Sequence, residues 1–190
     1  MNEEALRRVV STLLETLGDD PAREGLQDTP KRVAQLFAEL YRGVGIDPVT
    51  VLESASVLDT PNDAHGDLVA LSGIAFTSVC EHHLLPFRGT AHVVYQPIDG
   101  VVGLGVLADL VQLAAARPQM QERLGDMIAD ALVRSGIAEG SLVVLRAEHG
   151  CLAHRGPKLA GSETLTVATA GSLKDPLAKH DALMLLGTKD

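Results

Sequence analysis

With 190 residues, 46% of them apolar, the chain can bury the core of one domain, or of a domain with an appended arm. Tryptophan is absent and aromatic residues make up only 3%, so the core is aliphatic and the stacking platforms that bind single-stranded nucleic acid are missing; a net charge of -9 opposes nucleic-acid binding further. No apolar run reaches the roughly 18 residues of a membrane span, and Met1-Asn2-Glu3-Glu4 has neither signal nor transit character, so no membrane association and a cytoplasmic location are expected.

From Glu3 to Leu17, the residues Leu6, Val9, Val10, Leu13, Leu14 and Leu17 recur at threes and fours, drawing one stripe on a helix that Gly18 ends. After Asp19-Asp20-Pro21, Thr29 is placed to cap and Pro30 to open a second helix, with Val33, Leu36, Phe37, Leu40 and Tyr41 on one face and a stop at Gly43. Residues 45–66 read as a connection around a short helical turn at Val49–Leu52. Residues 1–66 are therefore expected to form a helical arm with its connection, and 67–190 the main domain.

Leu68 to Val79 predicts a strand interrupted near Ser72-Gly73, and Phe87 to Gln96 a second, closed by the turn Pro97-Ile98-Asp99-Gly100. His92, alone on that strand, reads as structural. Helical spacing follows over 104–116 and 119–135, broken at Arg117-Pro118, and then two more strands over 141–147 and 164–170. The order ββααββ predicts an α+β fold: an antiparallel four-strand sheet with a helix pair on one face.

The chemistry gathers in Cys80-Glu81-His82-His83, at the end of the first strand. Cys80 and His83 are spaced to turn toward one ion, and the only other cysteine, Cys151, arrives in Glu148-His149-Gly150-Cys151. Two thiolates and one imidazole suit zinc, and three protein ligands leave a position for water or substrate, the pattern of a catalytic site. A Cys80–Cys151 disulfide is disfavoured because nothing points to an oxidising compartment.

The stretches Cys80-Glu81-His82-His83-Leu84-Leu85-Pro86-Phe87, Arg117-Pro118-Gln119-Met120-Gln121-Glu122-Arg123-Leu124 and Glu148-His149-Gly150-Cys151 resemble the GTP cyclohydrolase I family. The resemblance runs in order from Asp28-Thr29-Pro30-Lys31-Arg32-Val33 through Gly161-Ser162. It implies the tunnelling fold (T-fold), in which subunit sheets close into a barrel, and a homo-oligomer, a decamer of two pentamers with active sites between subunits. The family's zinc ligands match Cys80, His83 and Cys151, in agreement with the reading of the residues alone. Its two active-site histidines match His82 and His149, the proton carriers. Guanine is held by a glutamate matching Glu122, beside Gln121, and by backbone around Gly103 and Leu104. The implied reaction is attack of a zinc-activated hydroxide on C8 of a guanine-type purine, which opens the imidazole ring and releases C8 as formate. In the family the product then rearranges to dihydroneopterin triphosphate.

The resemblance lapses at the phosphate end. The family's Gly-Leu is followed by a serine and a lysine, with an arginine four residues after the serine; here these positions are Gly105, Val106 and Asp109. A lysine three residues after Arg32 is Gln35, so only Arg32 and Arg155 remain of the cationic set. Charge-assisted phosphate contacts are worth about 1.5–3 kcal/mol each, so losing three costs roughly 4 kcal/mol or more, about a thousandfold in affinity. The expected substrate is therefore a guanine-type purine with little or no phosphate: base, nucleoside, monophosphate or a modified guanine such as 8-oxoguanine. Two alternatives stay open. One is an authentic GTP cyclohydrolase I whose phosphate grip is rewired through Lys158 or another subunit. The other is a non-catalytic purine- or pterin-binding or regulatory homologue.

Overall fold

The computed structural model describes residues 1–59, 67–155 and 158–187. They fall into two compact units, Met1–Arg42 and Gly43–Asp190.

In the first unit, α1 (Glu3–Thr16) is capped by the Asn2 side chain, which accepts from the Ala5 N–H at 3.0 Å, and Glu3 and Glu4 sit in its first turn. Carboxylates there complement the exposed N–H groups of the helix start. Helix α1 packs along α2 (Thr29–Leu40), with Val10 and Ala34 buried and the Phe37 and Tyr41 rings 5.1 Å apart. Thr29 lies inside α2, and Asp28 holds the cap position without a side-chain capping bond, one residue earlier than its sequence suggests. The Asp28 carboxylate instead pairs with Arg32 at 3.3 Å on the exposed surface.

The second unit begins with α3 (Val49–Glu53) and β1 (Val57–Asp59); β1 pairs antiparallel with β4 (Gly100–Val102). The main sheet contains β2 (Val69–Cys80), β3 (Pro86–Pro97), β6 (Ala138–His149) and β7 (Thr164–Gly171), all antiparallel in that order. This is the expected four-strand unit, and the expected interruption near Ser72-Gly73 is a bulge between Leu71 and Ile74. A fifth, two-residue strand was not expected: β5 (Pro118–Gln119) runs parallel to the end of β2, pairing Val79 with Pro118 and Cys80 with Gln119. It separates α4 (Leu104–Ala115) from α5 (Gln121–Arg134). The remaining elements are α6 (Gly150–Ala153), a 3₁₀ turn at Ser172–Lys174 and α7 (Pro176–Gly187).

Side chains alternate across each strand, so the register decides which residues meet the helices. Phe76, Ala91, Val93, Leu145 and Ala147 face α4 and α5, where Leu107, Leu110, Leu124, Ile128 and Leu132 are wholly buried. Each such leucine or isoleucine contributes about 1.5–3 kcal/mol by leaving water. Val94 and Leu142 point the other way and are covered by Leu173 and Ala182. The same alternation carries Cys80 and His149 onto the helix-covered face, at the strand ends nearest the start of α5.

Candidate metal centre

The chain leaves β2 through a tight turn. The Cys80 N–H donates to the Leu85 carbonyl at 2.8 Å, and the Leu84 N–H donates back to the Cys80 carbonyl at 2.9 Å. Closing the turn puts Leu84 at φ 53°, a left-handed conformation that costs a branched side chain about 1–3 kcal/mol. Strand β5 braces this loop from the side, since the Glu81 N–H donates to the Gln119 carbonyl at 3.1 Å. Because β5 leads straight into α5, the bracing also sets Gln121, Glu122 and Arg123 beside the loop.

The second approach comes from the end of β6. Phe87 on β3 pairs with His149, and the chain turns at Gly150 into α6, which carries Cys151. Only glycine fits at the turn: a Cβ on Gly150 would lie 2.7 Å from the Pro86 carbonyl oxygen. That close approach delivers Cys151 to Cys80 and His83, and one ligand atom from each of the three lies within 4.8 Å of the other two. The Cys80 Sγ and His83 Nδ1 are 3.8 Å apart. Cys80 is buried, Cys151 half-buried and His83 exposed, so the group opens toward solvent on its histidine side.

The donor chemistry fits a zinc ion. Burial pushes the Cys151 thiol above its ordinary pKa, and the adjoining Cys80 thiol pushes in the same direction. Two thiolates side by side repel, and a divalent cation between them removes the cause.

Around the triad stand the other candidates. His149 stacks on Phe87, with ring centres 4.6 Å apart and planes within 2°, and its Nε2 lies 2.8 Å from Gln121 Oε1. Burial lowers its pKa, while the nearby Glu122 carboxylate acts in the opposite direction. His82 is exposed; Glu81 lies between it and Arg123, at 3.8 Å from His82 Nε2 and 2.5 Å from the Arg123 guanidinium. Arg155 reaches the outer nitrogen of His83, with its Nη1 at 2.6 Å from Nε2.

A family profile described as GTP cyclohydrolase I matches residues 6–187. The GTP cyclohydrolase 1 of Streptococcus pyogenes serotype M49 is 46% identical over 191 aligned residues, covering 100% of this chain and 96% of that protein. The GTP cyclohydrolase 1 of Dehalococcoides mccartyi is 44% identical, covering 99% of this chain and 98% of its own length.

The chain belongs to the GTP cyclohydrolase I family.

Seen as a member of the GTP cyclohydrolase I family, it divides its candidate residues unevenly. Cys80, His83 and Cys151 come together with Arg155 on His83, and His149, two residues before Cys151, is held by Gln121 at the start of α5, with Glu122 close enough to act on His149. Gly103 caps α4 and Leu104 opens it, 58% exposed. Gly105 and Asp109 are exposed on the same helix and Val106 is half-buried, so its first turn offers no cation. Arg32 lies in the other compact unit. Lys158 follows residues outside those described and has φ 51°. Among the described residues no helix is long and apolar enough to cross a membrane.

Three contributors escaped sequence reasoning. Phe87 gave only the alternation of a core strand, yet it sets the plane of His149. Arg123 carried no mark beyond its place after Glu122, yet it anchors Glu81. Gly150, lying between His149 and Cys151, was the one with a usable signal, since a glycine between two chemically committed residues marks a close backbone approach.

Proposed function

We propose that this chain is a zinc-dependent cyclohydrolase that opens the imidazole ring of a guanine-type purine at C8. The observation that carries the reading is the convergence of Cys80, His83 and Cys151 within 4.8 Å beside His149. These three residues would hold the ion. Bound there, zinc supplies the Lewis acidity that makes water nucleophilic near neutral pH.

The chain's own residues supply the rest. Glu122, exposed at the start of α5, accepts from the ring N–H and the exocyclic amine of guanine, a pairing that adenine cannot offer. The backbone at Gly103 and Leu104 lines the purine. His149 and His82 move protons to and from the opening ring, because an imidazole can both donate and accept a proton through its ring nitrogens. Arg155 and Arg32 are the cations left to meet an anionic substituent. Residues 67–190 act as the catalytic T-fold domain and 1–66 as a helical arm.

The working form is a cytoplasmic homo-oligomer, a decamer of two pentamers with active sites between subunits. Support comes from the sheet's outer strand β7, where Leu165 and Val167 are 57% and 44% exposed. An open apolar edge invites pairing with a neighbouring sheet. The substrate is a small purine, with no part for nucleic acid or membrane.

The relatives' shared name puts GTP among the substrates, and the resemblance adds dihydroneopterin triphosphate as the rearranged product. A specific observation favours a second reading, a guanine compound with fewer phosphates or none: the exposed opening of α4 carries Gly105, Val106 and Asp109 and no cation. The core proposal is tested by Cys80→Ala, His83→Ala and Cys151→Ala. Each should lose stoichiometric zinc and all purine turnover, since removing one of three ligands breaks the chelate. Full zinc retention in any one of them removes that residue from the ligand set.

A further inference from the structure

Gln121 is 1% exposed, although it opens α5 immediately before the exposed Glu122. A buried amide needs partners for two donors and one acceptor oxygen, and this one has them all inside the chain. Its Nε2 donates to the Leu145 carbonyl at 3.1 Å and the Thr164 carbonyl at 2.9 Å, with the Thr166 hydroxyl at 3.2 Å. Its Oε1 faces His149 Nε2 at 2.8 Å.

The two carbonyls fix which way the amide points. Rotating it by half a turn would aim Oε1 at two carbonyl oxygens that can only accept, leaving both without the amide's hydrogens and the Thr166 hydroxyl as the one donor beside it. With Oε1 toward His149, the imidazole Nε2 must carry the hydrogen. In the neutral ring the lone pair is therefore on Nδ1. Phe87, parallel to the ring at 4.6 Å, removes the remaining freedom by fixing its plane.

We infer that Gln121 is a positioning residue that locks His149 as the Nε2–H tautomer and so leaves Nδ1 as the nitrogen not held by the chain's own amide. The substrate meets Glu122 and not Gln121, whose polar atoms are already committed. The effect of this lock on turnover rests on the ring-opening reading above; the tautomer itself does not.

The test separates the two. Solid-state ¹⁵N NMR of histidine-labelled, zinc-loaded full-length protein, with His149 assigned by its loss in His149→Ala, reads the tautomer directly at a pH where the ring is neutral. A protonated Nε2 and a bare Nδ1 are expected; a protonated Nδ1, or an equal mixture, overturns the inference even if the enzyme turns over guanine compounds. Conversely, the expected tautomer in a protein that opens no purine leaves the inference standing and refutes the proposed activity. Kinetics supply the second arm. Gln121→Met should lower kcat about 10²-fold, the scale of a misplaced general acid or base, and leave KM within about threefold. A large rise in KM with kcat kept would make Gln121 a substrate contact and overturn the positioning role. Should that variant not fold, the tautomer measurement on the unmodified protein decides alone.

Discussion

The exposed opening of α4 permits a direct experiment on how the substrate's phosphates are met. The variant Gly105→Ser, Val106→Lys, Asp109→Arg places two cations and a hydroxyl where the chain now has none, and it removes one carboxylate. The helix can take it: a Cβ at Gly105 meets nothing within 4 Å, and Asp109 is exposed. Val106 is half-buried, and a lysine stem can cover that apolar surface while its ammonium reaches water. Two charge-assisted contacts at the low end of their range, about 1.5 kcal/mol each, sum to about 3 kcal/mol, which solvent screening at an exposed helix start cuts by about half. The expected gain in kcat/KM for GTP is thus between about tenfold and a hundredfold, shrinking as salt is raised. Guanosine, which has no phosphate, should change by less than about twofold, because the substitutions leave the purine contacts alone. The assay is steady-state turnover of GTP, GMP and guanosine by mass spectrometry, before and after substitution. If the unmodified protein already prefers GTP by a wide margin and the variant gains nothing, the phosphates are gripped elsewhere and the reasoning fails.

Other outcomes follow from the same geometry. His149→Ala and His82→Ala should keep one zinc per chain and lose turnover by about 10²-fold or more, since neither is placed as a ligand; undiminished activity in either removes it from the chemistry. Gly150→Ala forces a Cβ against the Pro86 carbonyl, so it should cost about 1–3 kcal/mol in unfolding free energy and weaken zinc binding; unchanged values of both would show that the turn has room to yield. Tyr95 is wholly buried, and its hydroxyl accepts from the Val102 N–H at 3.1 Å. Burial raises its folded pKa above the unfolded value, so its contribution is fully present below about pH 10 and is lost as pH rises through the folded pKa. Tyr95→Phe should therefore be less stable at neutral pH by about 1–3 kcal/mol but lose stability less steeply above about pH 10; parallel curves would refute this. Light scattering should give a mass many times the 20.0 kDa of one chain, and a monomer would contradict the proposed assembly.

How much of this was legible beforehand depended on whether a feature is periodic. The stripe through Leu6, Val10 and Leu13 gave α1, and the alternation of Ala91, Val93 and Tyr95 gave β3, because each repeats over several residues. Gly73 announced the bulge in β2, where its φ of 80° suits no other residue as well. By contrast, β5 has only two residues, one of them proline, and read as a helix break; its pairing with β2 is decided by tertiary contact and not by propensity. Helix α7 went unread because Leu177, Met184 and Leu185 stay exposed while Ala182 is buried, so no single apolar stripe marks its inner face. At the site, residue type was sufficient for Cys80, His83 and Cys151, whose donors have few other uses in such a cluster. The bond from His149 to Gln121 had no such mark, since a glutamine at a helix start looks like any polar surface residue until the fold buries it.

The claim that a purine is opened at C8 is best tested by following that carbon. Zinc-loaded protein incubated with ¹³C8-labelled GTP, GMP and guanosine should convert at least one of them with release of one labelled formate per ring consumed, read by ¹³C NMR, and Cys151→Ala should release none. If the protein holds one zinc per chain and yields no labelled formate from any of the three, it is not a C8 hydrolase of unmodified guanine compounds and the proposed function is wrong.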